Sequence, residues 1–309
     1  MQLIRGLNRW PDTCDSVITI GNFDGVHLGH QAMFRAVRRA ADTHALPATV
    51  VSFEPLPHEY FSPRAAPCRL QGLRDRVACI RTAGMDRLLL LHFDRHLAAQ
   101  SAGDFIDEVL VSRLRTRHLV IGDDFRFGHN RSGNVQMLEE AAQRHDFTLQ
   151  QSATCLHGGN RVSSTQIREH LSRGELELAA ALLGRHYRIS GRVVHGEKVG
   201  RKLGYPTANV ALGKHRPALR GVFAVWAHVQ ESGTRHAAVA NLGERPTMGG
   251  HKLLLEVHLL DRDVNLYGQH LAIDFLVRLR HEQRFASLDE LKAQIARDAE
   301  QARELIRRR

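Results

Sequence analysis

Cysteine is scarce in this chain. There are four in 309 residues, and Cys14, Cys68, Cys79 and Cys155 never form a C-x-x-C pair. Neither a metal knuckle nor a disulfide framework is expected, and reduced, buried thiols are the default. No window is apolar over the length of a membrane span, and Met1 to Ser16 hold no run of signal-peptide length, so a cytoplasmic protein without membrane contact is expected. Aromatic residues make up only 6% of the chain, which leaves little material for stacking nucleic-acid bases. Three motifs are missing as well: G-x-x-x-x-G-K-[ST], G-x-G-x-x-G and H-E-x-x-H. Their absence sets aside P-loop enzymes, dinucleotide-binding Rossmann proteins and zinc proteases.

What is present describes an ordinary globular protein, with 43% hydrophobic and 25% charged residues. The length favours two domains, each able to bury its own core. The net charge of +10 is unevenly spread. Residues 1–184 carry 21 basic against 20 acidic side chains, and residues 185–309 carry 22 against 13, an excess of +9. Several of those cations fall in loops suited to phosphate or in the tail helix, so basic charge alone does not argue for nucleic acid.

The most informative stretch is 16–37. Val17 to Ile20 reads as a buried strand, Gly21, Gly25 and Gly29 permit a tight turn, and Met33, Phe34 and Val37 recur at helical spacing. The start of a helix offers unpaired N–H groups and the positive end of its dipole, and so attracts anions. His27 and His30 add two imidazoles there, on one face if both lie in the first turn. This pattern suits a triphosphate attacked at its α-phosphorus. The alternatives are two surface histidines or half of a metal site.

Further strands are expected at Ala48 to Phe53, Leu88 to Phe93 and Leu119 to Ile121. A helix is expected from about Ser101 to Leu114, with Phe105, Ile106, Val109, Leu110 and Leu114 as its stripe. Strands alternating with helices imply a parallel, doubly wound sheet that binds ligands off the carboxyl ends of its strands. Pro55 and Pro57 fix a loop after the second strand, and a Gly122–Gly128 loop follows the fourth. In Arg161-Val-Ser-Ser-Thr-Gln-Ile-Arg168, Ser164 or Thr165 caps a helix, and the flanking guanidinium groups make that start a second phosphate cradle.

Near Leu183-Gly184 the helical period gives way to short strands at Tyr187–Val194, Val222–Val229, His236–Ala240, Leu253–Leu260 and Leu271–Leu279, as in an antiparallel barrel. The loop between the first two carries Gly191, Gly196, Gly200 and Gly204, a bare backbone able to approach a nucleotide, together with Lys198, Arg201 and Lys202. Pro206-Thr-Ala-Asn209 then offers a hydroxyl and an amide, hard oxygen ligands for magnesium beside phosphates. On the strand around Glu256, alternation puts Glu256 and His258 on one face and Leu255, Val257 and Leu259 on the other. Glu256 is either a solvent-facing carboxylate or a rigidly held general base. A closing helix starts at the capping box Ser287-Leu-Asp-Glu290, with Leu288, Leu291, Ile295, Ala299 and Ala302 facing the barrel.

These segments, with Asn241-Leu-Gly-Glu-Arg-Pro-Thr247 and Tyr267-Gly268, resemble the prokaryotic bifunctional riboflavin kinase/FMN adenylyltransferase (FAD synthetase) family along essentially the whole chain. The resemblance implies an α/β plus all-β protein. Residues 1–184 would form a Rossmann-like HxGH nucleotidyltransferase domain with a parallel sheet, and residues 185–309 an antiparallel riboflavin kinase β-barrel with a C-terminal helix. It implies ATP, riboflavin, FMN and FAD as substrates and products and Mg²⁺ as cofactor; the expected partners are these small molecules, without nucleic acid or membrane, together with a weak or transient homo-oligomer. ATP for adenylylation would meet Gly21, Asn22, Phe23, Asp24, Gly25, His27, His30, Asp124, Arg161, Ser163, Ser164, Thr165 and Arg168. ATP for phosphorylation would meet Gly191, Val193, Gly196, Lys198, Gly200, Arg201, Gly204, Pro206, Thr207 and Asn209, the last two with the metal. Flavin would meet Pro55, Pro57, Phe61, Asn241, Arg245 and Thr247. Glu256, His27 and His30 would serve catalysis. Asp124 stands where some members carry Asn, and Met248 where an aromatic residue is common. The alternatives are a chain keeping one of the two activities, or a nucleic-acid- or flavin-binding regulator on the same domains.

Overall fold

The computed structural model describes residues 1–11, 15–196, 204–213, 215–247, 250–262 and 264–308; at 245–247 and 250–252 it describes the backbone alone. Lys198, Gly200, Arg201, Lys202 and Met248 lie outside the described residues, as do the side chains of Arg245 and Thr247. Packing divides the chain into two compact units, one of 1–67 with 76–163 and one of 68–75 with 164–309.

The first unit is built on six parallel strands: β1 (Gln2–Arg5), β2 (Ser16–Ile20), β3 (Ala48–Glu54), β4 (Arg87–His92), β5 (Thr116–Gly122) and β6 (Thr148–Ser152), in the order β1-β4-β3-β2-β5-β6. The chain runs outward from β2 through β3 and β4, then returns to the other side of β2 as β5. That reversal places a topological switch point between β2 and β5, the place where sheets of this kind bind ligands, at the carboxyl ends of the strands. Helix α1 (Leu28–His44) buries Phe34, Ala36, Val37 and Ala41. Edge strands β1 and β6 are not evident in the sequence, and neither is the hairpin of β7 (Leu156–His157) and β8 (Asn160–Arg161). The expected helix over 101–114 is a short α-turn followed by a π-helix, Phe105–Arg113. Its stripe Phe105, Ile106, Val109, Leu110 and Leu114 is buried as expected. Steps of four and five residues suit the wider i→i+5 turn, and the Leu114 N–H donates to the Val109 carbonyl at 2.9 Å.

The second unit is a closed antiparallel barrel of β9 (Tyr187–Val194), β10 (Ala208–Val210), β11 (Gly221–Val229), β12 (Thr234–Thr247), β13 (Gly250–Leu259) and β14 (His270–Arg280), in the order β10-β13-β12-β11-β14-β9. Five strands were expected. The sixth, β10, lies within the segment read as a loop, and it closes the barrel by pairing with both β9 and β13. The helices Ser164–Arg173 and Leu176–Leu183 group with this unit. So does 68–75, where Asp75 accepts hydrogen bonds from the Ser190 amide at 3.1 Å and hydroxyl at 2.6 Å. Burial pushes the Asp75 carboxyl up, against the pull of those donors.

The terminal helix, Leu288–Arg307, is capped by Ser287, whose hydroxyl accepts from the Glu290 N–H. Ala299, Ala302 and Ile306 pack on Ala224, Leu260 and Leu276. Leu288, expected on this face, is 65% exposed because it sits in the first turn, before the helix reaches the barrel surface. Deeper along the helix, Asp298 takes Arg280 through Nε at 3.0 Å and Nη2 at 2.8 Å, and Gln294 Nε2 donates to it at 2.8 Å. The pair is nearly enclosed, so removing one partner strands a buried charge. Asp298→Ala is expected to cost about 3–5 kcal/mol of barrel stability, read from the denaturant midpoint; an unchanged midpoint would show that water replaces the carboxylate there.

Candidate functional site

At the carboxyl end of β2 the chain turns through Gly21–His27 before α1 begins. Gly25 takes φ 89°, a conformation that favours glycine, and Phe23 and Val26 also have positive φ, at 48° and 41°. For a β-branched residue such as Val26 this is strained, and strain of this kind persists where surrounding contacts over-determine the turn. Those contacts are visible. Phe23 is buried against Phe34, with centroids 4.9 Å apart, and edge-on to His30 at 5.2 Å. Gln31 Nε2 donates to the Val26 carbonyl at 2.9 Å.

The condition that both histidines lie in the first helical turn is not met, since α1 starts at Leu28. His27 is the N-cap: its Nδ1 accepts from the His30 N–H at 3.4 Å. The rings stack with centroids 3.6 Å apart and an interplanar angle of 19°. The result is a helix start carrying two imidazole donors, suited to phosphate oxygens.

The loop after β5 brings together two of the residues assigned to ATP. Arg161 Nη2 pairs with Asp124 at 2.8 Å and with Asp123 at 3.1 Å, and the Thr154 hydroxyl donates to Asp123. The Thr154 hydroxyl, helped by the Arg161 charge, holds Asp123 below the usual carboxylate range. After β3, Pro55 and Pro57 lead into the short helix Pro57–Phe61. There Phe61 belongs to a cluster that the sequence did not reveal: Tyr60 and Phe61 each lie edge-on to Phe93, at 5.5 and 5.6 Å, and Phe93 lies edge-on to Phe53 at 5.7 Å. Phe61 is 64% exposed, an apolar ring left facing solvent.

Ser163 closes the first unit, while Ser164, Thr165 and Arg168 group with the second. Ser164 and Thr165 open the helix Ser164–Arg173. Arg168 Nε donates to the Cys68 carbonyl at 2.6 Å.

In the barrel, register does the positioning. Glu256 of β13 lies opposite Asn209 of β10 on one side and Asn241 of β12 on the other. The alternation expected on β13 holds, with Leu255, Val257 and Leu259 buried and Glu256 and His258 less so. Its two faces line two different cavities. One, of about 240 Å³, is walled by Val193, Pro206, Thr207, Val257, Leu259, Arg262 and Tyr267 among others. The other, of about 330 Å³, takes in Tyr205, Thr207, Asn241, Glu256, His258, Glu282, Phe285 and Leu291. Thr207 borders both. His258 Nδ1 donates to the Pro206 carbonyl at 2.8 Å, tying down the segment that presents Thr207. Burial pushes the Glu282 carboxyl up even though the Glu244 N–H donates to it. Tyr205, His258 and Glu282 were not picked out as site residues; for His258 the shared strand face with Glu256 was the available signal.

A family model described as FAD synthetase matches residues 10–166, and one described as riboflavin kinase matches residues 183–306. The bifunctional riboflavin kinase/FMN adenylyltransferase of Haemophilus influenzae is 46% identical over 306 residues, 98% of each chain. The protein of that name from Escherichia coli K12 is 45% identical over 309 residues, covering 99% of this chain and 98% of its own. The chain belongs to the bifunctional riboflavin kinase/FMN adenylyltransferase family. A solved structure from Streptococcus pneumoniae, described as a macrolide-efflux protein, shares the fold with a TM-score of 0.85 and 28% identity over 98% of this chain and 99% of that one. Among the described residues, no helix here is long and apolar enough to cross a membrane.

Within this bifunctional family member, Gly191 and Val193 stand on β9, Gly204 turns with φ 82°, and Gly196 approaches Asn209 closely. A Cβ at Gly196 would lie 2.4 Å from the Asn209 amide nitrogen, so the bare backbone there makes room for that side chain. Gly196→Ala is expected to push the Asn209 amide aside and lower riboflavin phosphorylation by about 10²-fold, with FAD formation from supplied FMN unchanged. Flavin chromatography after separate incubations measures both; undiminished phosphorylation would remove Asn209 from the kinase site.

Proposed function

We infer that the chain carries out both reactions of its family: ATP phosphorylates riboflavin to FMN on the barrel, and ATP then adenylylates FMN to FAD with release of pyrophosphate on the sheet. Thr207 carries the first assignment, because a phosphoryl group must pass between two substrates and Thr207 borders two cavities at once. The smaller cavity takes the nucleotide beside the Gly191–Asn209 segment. The larger one, with Asn241 and Phe285, takes the flavin.

The acceptor is the ribityl 5′-hydroxyl, which must lose a proton as its oxygen attacks the γ-phosphorus and ADP leaves. Glu256 lines the flavin cavity on a strand held from both sides and is the general base. Among the described residues no three His, Cys, Asp or Glu side chains cluster as a metal cage. The Thr207 hydroxyl and Asn209 amide instead fit a magnesium ion that draws its remaining ligands from phosphates and water. When bound, that ion neutralises phosphate charge.

Adenylylation needs different groups. The attacking FMN phosphate is already anionic, so alignment and charge neutralisation replace a base. His27 and His30, with the Gly21–Gly25 backbone, hold the ATP phosphates, and the exposed Phe61 ring meets the flavin. We assign adenylylation to residues 1–184 and phosphorylation to residues 185–309. The reading also includes a cytoplasmic location, small-molecule partners only, and at most weak self-association.

Purified protein given riboflavin, ATP and Mg²⁺, followed by flavin separation, tests the pair of reactions. Glu256→Gln is expected to abolish FMN formation while FAD still forms from supplied FMN; normal kinase turnover would remove Glu256 as base. His30→Ala is expected to spare the kinase and cut FAD synthesis by about 10²-fold or more, the scale of one lost transition-state donor. Equal loss of both activities would contradict separate sites.

A further inference from the structure

Among the described side chains that are enclosed almost completely, the largest belongs to an arginine. Arg76, on the helix Leu73–Thr82, is 1% exposed. Its Nη1 donates to the Asn22 carbonyl at 3.0 Å. Its Nη2 donates to the Phe53 carbonyl at 3.0 Å and to the Glu54 carboxylate at 2.8 Å. Asn22 belongs to the strained turn after β2, and Phe53 and Glu54 end β3 just before Pro55–Phe61. The Ser52 hydroxyl also donates to the Asn22 carbonyl, at 3.3 Å. One guanidinium therefore joins the turn that the proposed function gives to ATP to the end of β3, from which the segment given to FMN departs.

Burying a guanidinium is costly unless its donors are satisfied, and an apolar side chain of similar volume would fill the same space without that cost. What an apolar residue could not do is fix one carbonyl of the turn after β2 and one at the end of β3 at set distances. Glu54 balances the charge, so Arg76 is suited to geometry rather than to neutralising phosphate. The planar fork matters, since a lysine ammonium is a point charge on a flexible stem and would not span both carbonyls and the carboxylate with the same directions.

We propose that Arg76 is a positioning residue for adenylyl transfer: it locks the nucleotide turn to the flavin loop, so that the FMN phosphate and the α-phosphorus of ATP meet in line. This rests on the assignment of those two loops to ATP and FMN.

The test compares Arg76→Lys with His30→Ala and wild type in the full-length protein, with steady-state FAD synthesis from FMN and ATP, kinase turnover on riboflavin and thermal midpoints measured together. Arg76→Lys is expected to lower kcat for FAD synthesis by about 10²-fold, the scale of an ångström-sized misplacement. KM for both substrates should change far less, and the kinase and the thermal midpoint should be retained. A folded Arg76→Lys with wild-type kcat, beside an inactive His30→Ala, overturns the proposal alone. If both variants keep wild-type FAD synthesis, the site assignment falls and the proposal with it. Parallel loss of both activities and of thermal stability overturns it in favour of a purely structural arginine. Should Arg76→Lys not fold, Ser52→Ala takes its place: it removes the second donor on the Asn22 carbonyl, and a several-fold fall in kcat at unchanged KM is expected, with no change counting against the proposal.

Discussion

Three neighbouring positions in the barrel, Asn209, Glu256 and Asn241, sit side by side because β13 is paired on both edges. A strand shifted by one residue would exchange its two faces, turning Glu256 and His258 to the side now filled by Leu255, Val257 and Leu259. Barrel closure prevents this, since β10 is held by β9 as well as by β13. The same alternation separates the two cavities, and the His258 bond to Pro206 sets Thr207 where they adjoin. One register thus determines where a carboxylate, a hydroxyl and an amide stand relative to one another.

The first unit reaches an anion-binding geometry by another route. A parallel sheet leaves a crevice where its strand order reverses, and the chain fills that edge with a turn too tight for most residues. Phe23 and Val26 accept unfavourable backbone angles because packing on Phe34 and the Gln31 side chain hold them there. An imidazole cap at His27, in place of the more usual Ser or Asp, satisfies a helix N–H without adding negative charge at the helix start. Two sites built on such different principles suit two chemistries, one needing a proton acceptor and the other needing alignment.

Much of this was legible in the sequence, and the gaps have physical causes. Period-two alternation around Glu256 and helical spacing after His30 are strong because each reflects burial of one face. Strand β10 was hidden because three residues after a proline carry no period of their own; only pairing with β9 and β13 makes them a strand. The 101–114 stripe located the buried face correctly, but side-chain spacing does not distinguish an α- from a π-helix when steps of four and five occur together. Leu288 looked like a core residue because periodicity cannot tell where a helix meets its partner. Arg161 was read as a phosphate ligand, while its engagement with Asp123 and Asp124 depends on the fold of the loop after β5. Arg76 was invisible for a similar reason: an arginine amid Leu-Arg-Asp-Arg-Val reads as solvent-exposed charge, and its carbonyl partners lie 54 and 23 residues away.

The most direct measurement is a crystal structure of the protein with riboflavin, Mg²⁺ and a non-hydrolysable ATP analogue bound together. The account predicts the nucleotide in the smaller cavity and the flavin in the larger one, with the terminal phosphate at Thr207 and the ribityl 5′-oxygen within hydrogen-bond distance of the Glu256 carboxylate. A nucleotide seated in the larger cavity, or a Glu256 that touches neither ligand, would contradict it.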